Sequence, residues 1–123
     1  MRSPLARAQG LGSAKGGAKH WRAQRVSAVA LVPLTVWFLG SIIAHAGGDY
    51  AAAISWLKTP LASLAMIVLL LAVFHHTALG LQVVIEDYVH SNAKFAAVIA
   101  VRLGCFAFAS AGIVATLRIA STP

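Results

Sequence analysis

Acidic residues are nearly absent from this chain. Asp49, Glu86 and Asp87 are the three acids among 123 residues, set against ten lysines and arginines. Each lies at the end of an apolar run and none lies well inside one. That position counts against a small multidrug or proton-coupled transporter, which needs an acid deep in the membrane. Cysteine occurs once, as Cys105. A single cysteine cannot close an intrachain disulfide or hold an iron–sulfur cluster, and within an apolar run it reads as a small buried hydrophobe. There is no glycine-rich dinucleotide motif, no phosphate-binding P-loop and no internal repeat. Charge of either sign is scarce, at 11% of residues, while 59% are hydrophobic. A soluble domain carries about 25% charged residues. Together with the apolar runs, this contrast points to an integral membrane protein.

Three runs are long enough to cross a bilayer. The first extends from Val26 to about Ala46, roughly 31 Å as a helix, close to the thickness of the hydrocarbon core. Pro33 within it predicts a kink or a weakened contact, because it lacks an N–H. Ser27, Thr35 and Ser41 are able to bond back to the helix or across to a neighbour. His45 falls near the exit and reads as an interfacial, wetted histidine. Gly47-Gly48-Asp49-Tyr50 ends the run. A connection follows to Thr59, with Trp56 and Lys58 as interface anchors, and Pro60 suits the first turn of the next helix. The second span is Leu61 to about Ile85. Glu86 to Lys94 reads as a short loop, and the third span is Phe95 to about Leu117. The expected fold is all-α, a bundle of three transmembrane helices in residues 26–118 that packs with a partner membrane subunit. A basic segment, 1–25, precedes it and a short tail, 119–123, follows.

The positive charge gathers at one end. Arg2, Arg7, Lys15, Lys19, Arg22 and Arg25 all precede the first apolar run. Beside a transmembrane segment such a cluster reads as the positive-inside signal, not as a nucleic-acid site. It places the amino terminus in the cytoplasm, the Glu86–Lys94 loop inside and the carboxyl terminus outside. Residues 1–18 look disordered by composition. His20-Trp21-Arg22-Ala23-Gln24-Arg25 runs directly into the span, with Trp21 suited to the interfacial belt.

The stretch from Phe74 to His90 concentrates the reactive side chains. It holds three of the five histidines, two of the three acids and one of the two tyrosines. Ionisable groups in a span are costly, and their presence is a functional-site hypothesis. On a helix, His76, Gly80, Val83 and Asp87 lie along one stripe, with Asp87 roughly 16 Å along the axis from His76. Gly80 lets a flat group approach, so a haem on His76 with a second site near Asp87 and Tyr88 fits that face. His75 heads a different stripe with Leu79, Gln82 and Glu86, and helical geometry alone does not choose between the two histidines as a haem ligand. Either one also suits a hydrogen-bonded packing role. The Tyr88 phenol and the Asp87 carboxylate suit a quinone, whose carbonyl needs a donor and whose reduction needs protons. The alternative is an interfacial tyrosine beside a solvated acid. In the third span, Gly104, Ala107, Ala111 and Ala115 form a small-residue stripe. Arg102 there either snorkels to the cytoplasmic surface or pairs with an anion such as a haem propionate.

Two stretches together resemble a known family. One is Gly12-Ser13-Ala14-Lys15-Gly16-Gly17, then His20-Trp21-Arg22-Ala23-Gln24-Arg25-Val26-Ser27-Ala28, then Pro33-Leu34 and Trp37. The other is His76-x-x-x-Gly80-x-Gln82-x-x-x-x-Asp87-Tyr88-Val89. They resemble the hydrophobic membrane anchor of bacterial succinate dehydrogenase, the smaller of its two haem-binding membrane chains. The resemblance covers nearly the whole chain, and the histidine to Asp-Tyr spacing is its most specific part. It implies His76 as the haem b iron ligand, Tyr88 and Asp87 at the ubiquinone site, and Arg25 near a haem propionate or the quinone pocket. It also implies three partners: a flavoprotein subunit, an iron–sulfur subunit and a second, cytochrome b556-type anchor that gives the other iron ligand. The implied location is the bacterial inner membrane. The implied activity is electron transfer from succinate to ubiquinone, linking the citric acid cycle to electron transport, with the succinate-oxidising site on other subunits. A fumarate reductase anchor has similar spans and is the nearest competing reading. A purely structural subunit without haem is another.

Overall fold

The computed structural model describes residue 4 and residues 15–123. The cations Arg2 and Arg7 and the Gly12-Ser13-Ala14 part of the family-like stretch lie outside the described residues. Among the described residues all regular structure is helical. Four helices follow in order: α1 (Lys15–His45), α2 (Tyr50–Leu57), α3 (Pro60–Tyr88) and α4 (Ala93–Ser121). Three of them are long and apolar enough to cross a membrane, over Gly17–His45, Pro60–Tyr88 and Ala93–Ser121, each of 29 residues. At 1.5 Å per residue that is about 44 Å, enough to pass the hydrocarbon core and both headgroup layers.

The helices outrun the apolar runs. α3 continues past Ile85 to Tyr88 and α4 begins at Ala93. Backbone pairing needs no apolar side chains once the helix enters the headgroup layer, and Gln82 Nε2 donates to Glu86 Oε1 one turn on at 2.9 Å. α1 starts at Lys15, so positions 15–18 are its first turn although their composition reads as disordered. From Gln24 onward α1 meets α3, and a helix anchored there propagates back through the preceding residues at little cost. Pro33 lies inside α1, which runs through it as one helix. The connection after Asp49 contains a helix that the sequence reading leaves out. α2 is capped by Asp49, whose Oδ1 accepts the Ala52 N–H at 2.9 Å. Pro60 opens α3 as expected, behind Thr59 in extended backbone.

α3 is the central element. It packs along α4 and along α1, while α2 touches α3 and α4. Gly112 lets the Leu70 side chain of α3 lie against the α4 backbone, since a Cβ there would lie 3.0 Å from Leu70 Cδ1. Phe74 and Phe108 stack between the same helices, with centroids 6.3 Å apart. The predicted stripe faces elsewhere: Ala107, Ala111 and Ala115 are exposed, and no side chain of the described residues fills the space beside Gly104. The internal core is thin. Ala62 (3% exposed) and Leu69 (7%) are the buried hydrophobics among the described residues, whereas Ile43 is 76% exposed and lies among many large apolar side chains left open. A water-soluble chain does not leave such surfaces bare. This is the exterior of a multi-pass membrane protein.

Candidate functional site

α1 and α3 are antiparallel, and two contacts fix their register. Ser27 Oγ lies 3.0 Å from His76 Nδ1. A Cβ on Gly80 would lie 3.7 Å from Gln24 Nε2. Three residues back along α1 therefore match four residues forward along α3. The predicted stripe through His76, Gly80 and Val83 thus faces α1, where its neighbours are Ser27, Gln24 and the residues before them.

Beyond Gly80 the two helices part around a groove of about 490 Å³, lined chiefly by His20, Trp21, Gln24, Arg25, Gly80 and Val83. The Arg25 guanidinium carbon lies 5.3 Å from the centroid of the Trp21 ring, one turn away on the same helix, a cation–π contact that orients it. His20 Nε2 and Gln24 Oε1 are buried and have no hydrogen-bond partner among the described residues. An unpaired buried polar group costs about 1–3 kcal/mol. Two of them in one groove mark a place that needs a further group to complete it. In the sequence His20 and Gln24 stand out only as part of a family-like stretch, because a register between helices is needed to bring them beside Gly80.

His76 lies roughly 3 Å from the midpoint of α3. Its Nδ1 is engaged by Ser27, and its Nε2 has no hydrogen bond among the described residues. Ser27 is 6% exposed and its Oγ also donates to the Gln24 carbonyl at 2.9 Å. This serine bonds both back along its helix and across to a neighbour. His75 is exposed and borders two other grooves. One, of about 390 Å³ between α3 and α4, includes Gln82, Arg102 and Cys105. The other, of about 420 Å³ beside α1, includes Ser27 and Ala72. Arg102 is neither free nor paired with an acid. Its Nε and Nη2 donate to Gln82 Oε1 at 3.2 and 2.7 Å. Through the Gln82 amide it is linked to Glu86, a network across two helices that spacing within one helix does not reveal.

Arg25, Gly80 and Val83 therefore share one groove, with His76 one turn away. Asp87 and Tyr88 do not join them. Both are exposed in the last turn of α3, Tyr88 to 80%, roughly 16–18 Å along the axis from His76. Among the described residues no group of three or more His, Cys, Asp and Glu side chains is able to hold a bare metal ion.

The family described as "Succinate dehydrogenase/Fumarate reductase transmembrane subunit" matches residues 1–109. The chain belongs to this family. It is 36% identical over 92 residues to the succinate dehydrogenase hydrophobic membrane anchor subunit of Rickettsia bellii (strain RML369-C), covering 75% of this chain and 74% of that one. The protein of the same name from Rickettsia conorii (strain ATCC VR-613 / Malish 7) is 31% identical over 117 residues, 94% of this chain and 93% of its own. That from Paracoccus denitrificans is 31% identical over 97 residues, 79% and 75% of the two chains. No solved structure matches the chain significantly. Family membership and three spanning helices agree with a membrane subunit of an enzyme complex, as the sequence resemblance implied.

Proposed function

We propose that this chain is the hydrophobic membrane anchor of a bacterial succinate:ubiquinone oxidoreductase. In this reading it holds one axial ligand of haem b and one wall of the ubiquinone site. The observation that carries it is the incomplete polar groove beside Gly80, on the same helix face as His76, in a chain of this family.

The residues present fit a haem. His76 offers an unencumbered Nε2 near mid-membrane, histidine being a common iron ligand. Gly80 leaves room for a flat macrocycle one turn on. Arg25 supplies a cation of the kind that pairs with a propionate carboxylate, and His20 Nε2 and Gln24 Oε1 lack partners in the same groove. A bound haem b supplies one-electron uptake and release. The second iron ligand comes from a cytochrome b556-type partner anchor.

Tyr88 and Asp87 serve the quinone at the interface. The phenol donates a hydrogen bond to a quinone carbonyl, and the carboxylate passes protons from water. Reduction of ubiquinone to ubiquinol takes two electrons, delivered from succinate through the flavoprotein and iron–sulfur subunits, and two protons. With Tyr88 80% exposed, the remaining walls of that site belong to partner subunits. The amino terminus faces the cytoplasm of the inner membrane, which puts Asp87 and Tyr88 on the same side as the soluble subunits. The family description also admits a fumarate reductase anchor, but the three relatives above all carry the succinate dehydrogenase name.

Purification through an affinity tag on this chain tests the proposal. The expected result is a complex with a flavoprotein, an iron–sulfur protein and a second membrane chain, showing a b-type haem in its reduced-minus-oxidised spectrum. A preparation with neither haem nor those chains would overturn it.

A further inference from the structure

We propose that Ser27 is a positioning residue for His76, fixing the imidazole in the tautomer that presents Nε2 to the haem iron. The inference rests on His76 being the axial ligand. It goes further by assigning a role to a residue on a different helix.

One proton arrangement makes both Ser27 contacts hydrogen bonds at once. A serine hydroxyl has a single proton to donate. Ser27 Oγ gives its proton to the Gln24 carbonyl, at 2.9 Å. Towards His76 Nδ1, 3.0 Å away, it is left to accept. In that arrangement Nδ1 carries the hydrogen and Nε2 carries the lone pair. Ser27 is 6% exposed, so bulk water does not stand in for it. Donation to Gln24 also polarises the hydroxyl, making its oxygen a better acceptor for Nδ1–H. Metal-ligating histidines commonly donate their other ring N–H to a fixed acceptor, which sets the ring orientation and raises ligand basicity. His75, adjacent in sequence, makes no such bond among the described residues. The chain thus distinguishes its neighbouring histidines by a hydroxyl contributed from α1.

A more basic ligand favours ferric iron, so the Ser27 bond holds the haem potential down. The test uses the whole complex with Ser27→Val, Ser27→Thr and His76→Ala in this chain. Haem content, the low-spin electron paramagnetic resonance signal and the haem midpoint potential are measured for each. Valine and threonine have nearly the same shape and differ by a methyl in place of a hydroxyl. Ser27→Val is expected to shift the midpoint potential positively and broaden the low-spin signal, or to lose haem outright. Ser27→Thr is expected to keep the wild-type values. A wild-type potential and signal in Ser27→Val overturn the role of Ser27. So does an equal shift in both variants, or failure of both to assemble, since each means that shape and not the hydroxyl matters. His76→Ala separates the two levels. Retention of bis-histidine haem in that variant removes the ligand assignment itself. Loss there, with Ser27→Val unchanged, removes only the positioning role.

Discussion

The two ends of the helix bundle treat their polar groups in opposite ways. At the end formed by the α1–α2–α3 turns, several polar side chains find partners within the chain, although Tyr50 is 82% exposed. Asp49 caps α2, Thr59 Oγ1 donates to the Trp56 carbonyl at 2.7 Å, and Lys58 Nζ reaches the Pro123 carbonyl at 3.1 Å. His45 Nδ1 lies 2.8 Å from the Ser41 carbonyl, and its ring lies 5.0 Å from that of Trp56, which in turn lies 5.8 Å from Trp37. At the other end His20 Nε2 and Gln24 Oε1 are buried without partners among the described residues, and Asp87 and Tyr88 stand exposed. Among the described residues, the first end leaves no buried side-chain polar atom without a partner. The other is built to be completed by something else, and there the proposed cofactor and substrate belong.

The sharpest way to break this comparison is topological. With the groove end cytoplasmic, as proposed, reporters inserted within 89–92 read as cytoplasmic and reporters fused after Pro123 as periplasmic, an all-or-none outcome. The reverse pattern would put the groove on the wrong side for the soluble subunits. Next in size is Tyr88→Phe, which keeps the ring but removes the hydroxyl. A lost hydrogen bond costs on the order of 1 kcal/mol, and more where charge develops on the quinone oxygen. Since 1.36 kcal/mol is tenfold in rate, succinate–quinone turnover is expected to fall about tenfold or more. Turnover with an artificial acceptor that takes electrons ahead of the quinone should hold steady. Equal quinone turnover in mutant and wild type would return Tyr88 to an interfacial anchor.

Substitutions toward the first end should touch stability and spare the groove. Gly112→Val drives methyl groups into Leu70, an overpacking that costs about 1–3 kcal/mol, read as a lower melting temperature of the complex with haem content per complex unchanged. Leu70→Ala in the same chain should recover part of that loss, because the two residues share one contact. The smallest effect is expected for Asp49→Ala. It removes the α2 cap at a cost of about 1 kcal/mol, visible as faster hydrogen exchange at the Ala52 amide.

The three spans were legible because each is a long apolar run, and a membrane helix needs little else. Of the stripe through His76, Gly80, Val83 and Asp87, the part as far as Val83 faces α1 as the helical repeat alone predicts, while Asp87 lies exposed beyond the groove. What was not legible depends on a second helix. Ser27 could be read as a bonding residue, but its partner became visible only with the α1–α3 register. For Arg102 the sequence offers the membrane surface or a propionate, and its partner in the structure is Gln82. The small stripe from Gly104 to Ala115 faces outward, while Gly112, one residue off it, takes the close contact with α3. The short helix α2 is not legible because eight residues are too few for a pattern to separate a helix from a connection.

The ligand assignment at His76 is the hinge between fold and function, and one paired measurement tests it. Reduced-minus-oxidised and low-spin resonance spectra are recorded on complexes carrying His76→Ala and, separately, His75→Ala. The expected result is loss or weakening of bis-histidine haem b in the first and near wild-type spectra in the second. Low-spin haem lost only with His75→Ala would contradict the assignment and move the site to one of the two grooves bordered by His75.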